Sequence, residues 1–118
     1  MAPNGWHIER DGPRLTLARK LPARFDLCAE TRLGRAARGR IAHQVRQDLW
    51  RALQDVRGFS PVVEVSYEEE GLRVRAGGRV DASRFPKANV EARIAEVLSD
   101  PCKRRRWLSF AALKEQAS

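Results

Sequence analysis

The side chains in this sequence best suited to chemistry are arginines set among tryptophans. Of 23 basic residues only Lys20, Lys87, Lys103 and Lys114 are lysine, leaving 19 guanidiniums. A guanidinium is a planar fork that matches phosphate and carboxylate oxygens bidentately. An Arg-over-Lys bias also accompanies GC-rich coding, so where the charges lie carries more weight than the ratio. Two groupings stand out. At 100° per residue, His43, Arg46, Trp50 and Arg57 form a ridge beside the apolar stripe of one helix, with Arg35 and Arg38 just ahead of it. Cations of this kind meet phosphates, and an indole among them can stack on an unpaired base. The second grouping, Lys103-Arg104-Arg105-Arg106 followed by Trp107, is the densest basic run in the chain.

Each grouping has an ordinary structural alternative. Trp50 either stands at the surface among cations or widens the core stripe and packs beneath a strand or the C-terminal helix. Four successive cations cover the whole circumference of a helix, so at least one of residues 103 to 106 lies near the core with its stem packed. Cations in a first helical turn also oppose the helix dipole, at about 0.3 to 1 kcal/mol each, which a polyanion or nearby Asp100 and Glu96 would offset. Two helices separated only by Ser99-Asp100 resemble any helical hairpin as much as a DNA-reading helix-turn-helix. Arg75-Ala76-Gly77-Gly78-Arg79 lacks the lysine and hydroxyl residue of a phosphate loop. Glu68-Glu69-Glu70 reads as a solvated turn.

A catalytic set is not recognisable. His7 and His43 are the only histidines, and neither is spaced to join a Cys or Ser in a triad. Cys28 and Cys102 lie 74 positions apart without ligand-spaced neighbours, so reduced core or near-core thiols are expected rather than a disulfide or zinc site. No enzyme activity, cofactor or metal is expected.

Length and composition fit that reading. The 118 residues match one domain with one core, and 42% hydrophobic residues exclude a disordered or low-complexity chain. Without a long apolar run or a basic-then-apolar leader, a soluble cytoplasmic protein with no membrane partner is expected. The net charge of +8 is uneven: residues 1 to 60 hold 12 basic and 6 acidic side chains, residues 61 to 118 hold 11 and 9.

Periodicity supplies the elements that would position these groups. Trp6 to Arg10 and Arg14 to Leu17 alternate around Asp11-Gly12-Pro13, predicting a hairpin with Trp6, Ile8, Leu15 and Leu17 on its buried face. Phe25, Leu27 and Ala29 suggest a third strand. From Arg32 to Arg57, Ile41, Val45, Leu49, Ala52, Leu53 and Val56 recur at helical spacing, with Thr31 as N-cap, Gly58 at the C-terminus and a regular start nearer Arg40. Pro61 to Tyr67 and Leu72 to Ala76 form a second hairpin around a four-residue loop. Its register sets Val63, Val65 and Tyr67 opposite Ala76, Val74 and Leu72, and Glu64 and Ser66 opposite Arg75 and Arg73. Gly77-Gly78 then opens a loop. A helix from Pro86 to Leu98 buries Val90, Ile94, Val97 and Leu98. A last helix, capped by Ser99 or Asp100, starts at Pro101 and carries Cys102, Trp107, Leu108 and Ala111.

The order βββ-α-ββ-αα predicts an α+β fold, an antiparallel sheet with helices on one face. The function expected is nucleic-acid binding, through DNA backbone rather than RNA, in transcription or DNA processing. The alternative is a protein-interaction module, homodimeric or meeting an acidic partner through its Arg and Trp surfaces.

Overall fold

Alternation in the strands and a three-four spacing in the helices leave each element one apolar side, and all these sides meet in one cluster. In the computed structural model, which describes residues 6–112, the elements run β1 (His7–Asp11), β2 (Arg14–Ala18), β3 (Leu27–Leu33), α1 (Arg38–Ala52), β4 (Phe59–Glu68), β5 (Gly71–Val80), α2 (Lys87–Ser99) and α3 (Pro101–Phe110). The strands form one antiparallel sheet in the order β1-β2-β4-β5-β3, giving an α+β fold. Leu15 and Leu17, Val63 and Val65, Leu72 and Val74 project from the sheet onto Ile41, Val45 and Leu49 of α1 and Val90 and Ile94 of α2. Trp107 of α3 closes the cluster. The alternate positions on the opposite face are mainly charged and polar, with Thr16, Glu64, Arg75 and Glu30 in one row across four strands and Ala18 and Val62 buried beside them.

The β4–β5 register is the expected one, with Val63, Val65 and Tyr67 opposite Ala76, Val74 and Leu72. Pairing runs further than alternation alone indicated: Glu68 stands opposite Gly71, leaving a two-residue turn at Glu69-Glu70. Glu64 bridges diagonally to Arg73 at 3.6 Å, while Arg75, directly opposite Glu64, lays its guanidinium 4.4 Å from the Phe25 ring.

Five expectations need correction. Thr31 is not a helix cap but lies inside β3, whose pairing with β5 continues to Leu33 opposite Leu72. Helix α1 instead begins after Ala37, with no side-chain cap, and stops at Ala52, short of Arg57. Gly77 and Gly78 do not open a loop. They sit within β5 because a side chain there would strike backbone: a Cβ on Gly77 would fall on the Leu27 carbonyl and 2.7 Å from Cys28 Cα, and one on Gly78 would fall on the Ser60 carbonyl. Phe25 precedes β3 and packs against Arg75. Cys102 is exposed on α3, and Cys28 is half-buried.

The sheet order sends the segment after β2 across to the far edge to begin β3. That segment, with a cis Leu21–Pro22 bond, is held at the end of the sheet by charge. Asp26 Oδ2 accepts the Val80 N–H at 2.8 Å, and the Arg24 guanidinium donates to both Asp26 oxygens. Those hydrogen bonds hold the Asp26 carboxyl below its usual range. Lys20 reaches Asp81 at 3.5 Å. Among the described residues no helix is long and apolar enough to cross a membrane.

Candidate functional site

Helix α1 lies over β2 and β4, so one flank of it overlooks the N-terminal hairpin while the other meets α3. Its core stripe faces the sheet, which turns Arg40, His43, Arg46, Gln47 and Trp50 outward or to the hairpin side. Arg46 leans down onto Trp6, with its guanidinium carbon 4.8 Å from the indole centroid; the Arg19 guanidinium approaches the same ring at 5.5 Å. Cation–π attraction holds each guanidinium to the ring, but it also brings two like charges together. Burial, and then Arg19, lower the pKa of Arg46. Its Nε is buried without a hydrogen-bond partner.

Trp50 is 48% exposed, so its indole is a surface group rather than part of the core. It borders a cleft of about 550 Å³ that Trp6, Arg19, Lys20 and Arg46 also line, with Phe59, Ser60 and Pro61 as its floor and Asp81 at its rim. Arg46 also borders a second, shallower groove along α1, with Arg40, His43, Gln44, Gln47 and Phe110. Phe110 is 57% exposed. It reaches this groove because α3 runs antiparallel to α1, tied at its end by the Ala37 N–H donating to the Ala111 carbonyl at 2.9 Å. The two depressions meet at Arg46, which lines both, with Trp6 and Trp50 on the cleft side and Phe110 on the groove side.

His43 belongs to this surface as a neutral group. Burial, and then the neighbouring Arg46 charge, push its pKa below the ordinary imidazole value. At neutral pH it offers one ring N–H and one acceptor nitrogen rather than a second cation.

The basic run of α3 does not join this surface; it divides among structural tasks. Lys103 pairs with Asp100 at 3.4 Å, and Asp100 caps the helix by accepting the Cys102 and Lys103 N–H groups at 2.9 and 3.0 Å. This carboxylate at the N-terminus offsets the dipole cost of the cations. Arg104 turns inward and donates to Thr31 Oγ1 at 2.6 Å, to the Leu98 carbonyl at 2.8 Å and to the Arg32 carbonyl. Arg106 donates to Asp48, which also accepts the Trp107 indole N–H at 2.6 Å. Asp48 is only 3% exposed and Trp107 fully buried, so this carboxylate is the polar pin between α1 and α3. Arg105 alone of the four points to solvent without a partner among the described residues.

The remaining cations are scattered. Arg38 lies at the opposite end of the first hairpin, donating to the Gly12 carbonyl at 3.2 Å and stacking 4.4 Å from the Tyr67 ring. Arg35 is exposed ahead of α1. Arg57 lies beyond the end of α1, beside Arg84 and Phe85. The expected ridge therefore persists as His43, Arg46 and Trp50, and loses Arg57 because α1 ends five residues before it.

Four members of the surface were not singled out from sequence: Trp6, Arg19, Arg40 and Phe110. Trp6 was expected on a buried face, and it is only partly buried because it lies at the edge of the sheet. Arg40 carried a readable signal, since it lies one helical turn before His43 and Gln44. Arg19 and Phe110 come to α1 only through tertiary packing. Among the described residues no group of three or more His, Cys, Asp or Glu is placed to hold a metal ion. Comparison with protein-family models, with curated proteins and with solved structures finds no match for this chain.

Proposed function

We propose that the protein binds nucleic acid through the outer face of α1, as a non-catalytic accessory protein. The observation that carries this reading is Arg46: a half-buried guanidinium with an orphaned Nε, set beside a second guanidinium. A buried charge without a compensating partner costs free energy, and a phosphate meeting the guanidinium from the cavities it borders would supply the counter-charge. Arg19 lines the cleft on one side of Arg46, and Arg40 lines the groove on the other. Most other cations are answered internally, including Arg14 by Asp11, Arg32 by Glu68, Arg93 by Asp55 and Arg106 by Asp48.

If Arg19, Arg40 and Arg46 each meet one phosphate, three counterions are released and the logarithm of affinity falls with log salt at a slope of about −2 on single strands. Raising salt from 50 to 200 mM then weakens binding by roughly 20-fold. Fluorescence anisotropy with labelled DNA and RNA oligonucleotides at the two salt concentrations measures this. Arg40→Ala and Arg46→Gln should each flatten the slope by about 0.7. An affinity indifferent to salt, or a partner from cell extract that stays bound after nuclease treatment, would point to an acidic protein instead.

A further inference from the structure

Arg57 and Arg84 lie open to solvent beside Phe85 and the Arg93–Asp55 pair, with no buried, unpartnered polar atom facing them among the described residues. The cleft between Trp6 and Trp50 is different in kind. Its two indoles have unequal roles. Trp6 is already covered by the guanidiniums of Arg19 and Arg46, whereas Trp50 borders the same cleft and remains half exposed. The cleft volume of about 550 Å³ falls in the range of small-molecule sites, about 300 to 1,000 Å³. Its floor is Phe59, Ser60 and Pro61, the first residues of β4, held in the sheet by pairing with β5.

We infer that this cleft is a subsite for a single unpaired nucleotide, whose base stacks on Trp50 while its phosphate meets Arg46. The inference rests on the nucleic-acid reading above and adds a strand preference to it. A stacking platform is useful only to a base whose face is free, as in single strands and at frayed or overhanging ends. Paired bases inside a duplex hide their faces, so a duplex would contact the arginines alone. The position of Arg46 suits both parts of one nucleotide, because it borders the cleft on one side and the α1 groove on the other. The chain can enter along Arg40 and place one base past Arg46.

The test compares a single-stranded oligonucleotide with its blunt duplex in anisotropy titrations of the full chain, using the wild type, Trp50→Ala, Trp50→Phe and Arg46→Gln. Tryptophan emission is followed in parallel. The inference expects tighter binding of the single strand, quenching of emission on binding, and a 5- to 150-fold loss of single-strand affinity in Trp50→Ala. Duplex affinity of that variant should stay within about twofold, and Trp50→Phe, which keeps a stacking face, should recover most of the loss. Arg46→Gln should weaken both forms. Equal affinity for the two forms with no effect of Trp50→Ala, while Arg46→Gln still weakens both, overturns the subsite and leaves the nucleic-acid reading standing. Absence of salt-sensitive binding to either form overturns both. Because Trp50 is a surface residue, thermal melts of its variants should overlay the wild type and exclude misfolding as the cause.

Discussion

Removing the Asp48 carboxylate should cost more stability than any other single charge in the chain. Asp48→Ala leaves the Trp107 indole N–H without its acceptor in a fully buried position. A net hydrogen bond to a charged group is worth about 1.5 to 3 kcal/mol, and an orphaned buried donor retains its desolvation penalty. Arg106 contributes less, because its side chain is 50% exposed; a pair screened to that degree adds about 0 to 1 kcal/mol. Arg51, at 4.0 Å and still more exposed, adds little. The total is about 2 to 4 kcal/mol, a large share of the ~5 to 15 kcal/mol typical of a folded domain. With a urea m-value of about 2 kcal/mol/M, the midpoint of denaturation should fall by about 1 to 2 M. A double-mutant cycle with Trp107→Phe isolates the hydrogen bond, and the two changes should be non-additive by about 1.5 to 3 kcal/mol. A midpoint shift below ~0.3 M for Asp48→Ala, or strict additivity in the cycle, would refute the assignment of Asp48 as the pin between α1 and α3.

Three further outcomes are expected. Arg104→Met, which removes donors to Thr31, Leu98 and Arg32, should destabilise by about 2 to 3 kcal/mol, while Arg105→Met should stay within about 0.5 kcal/mol; equal effects in denaturant titrations would contradict the division of labour within the run. His43 disfavours its protonated form in the folded state, so the unfolded chain binds more protons as pH falls past the ordinary imidazole value of 6.5. Its contribution is therefore intact above that pH and is lost on descending toward the lowered folded value; His43→Gln should flatten the melting temperature between about pH 7 and 5, and a profile parallel to the wild type would count against this. Gly77→Ala places a Cβ on the Leu27 carbonyl and should separate β3 from β5 at that point, lowering the melting temperature by about 10 °C or more; an undisturbed melt would show that the two strands are not so closely apposed.

Elements whose identity depends on local pattern were legible in the sequence. The β4–β5 register followed from alternation, and the buried stripe of α2 from Val90, Ile94, Val97 and Leu98. The mistaken boundaries arose where a neighbour decides. Thr31 has the chemistry of a cap, but β5 claims it as strand. Gly77 and Gly78 look like a break, yet the absent side chains are what allow β3 and β4 to approach on either side. The surface around Arg46 was half legible: a helical wheel brings His43, Arg46 and Trp50 together, but only the sheet order brings Trp6 and Arg19 beneath them. The 103–106 run misled because charge density in a sequence does not reveal its partners. Asp48 and the Arg32 carbonyl lie 58 and 72 positions away from the arginines they bind.

The strand order also sets a timetable for synthesis. β3 has a single strand neighbour, β5, and β2 meets the core of the sheet only through β4. Everything before Phe59 leaves the ribosome as a hairpin, a lone strand and an amphipathic helix with no sheet to cover. The β4–β5 hairpin, the most local pairing joined to both flanks, then offers a template to each at once. Synthesis at about 5 to 20 residues per second keeps the earlier apolar faces waiting for a second or more before that template exists. A chain halted ahead of Val80 would expose the unpaired edge and apolar face of β3, making premature termination a source of aggregation rather than of a smaller folded protein.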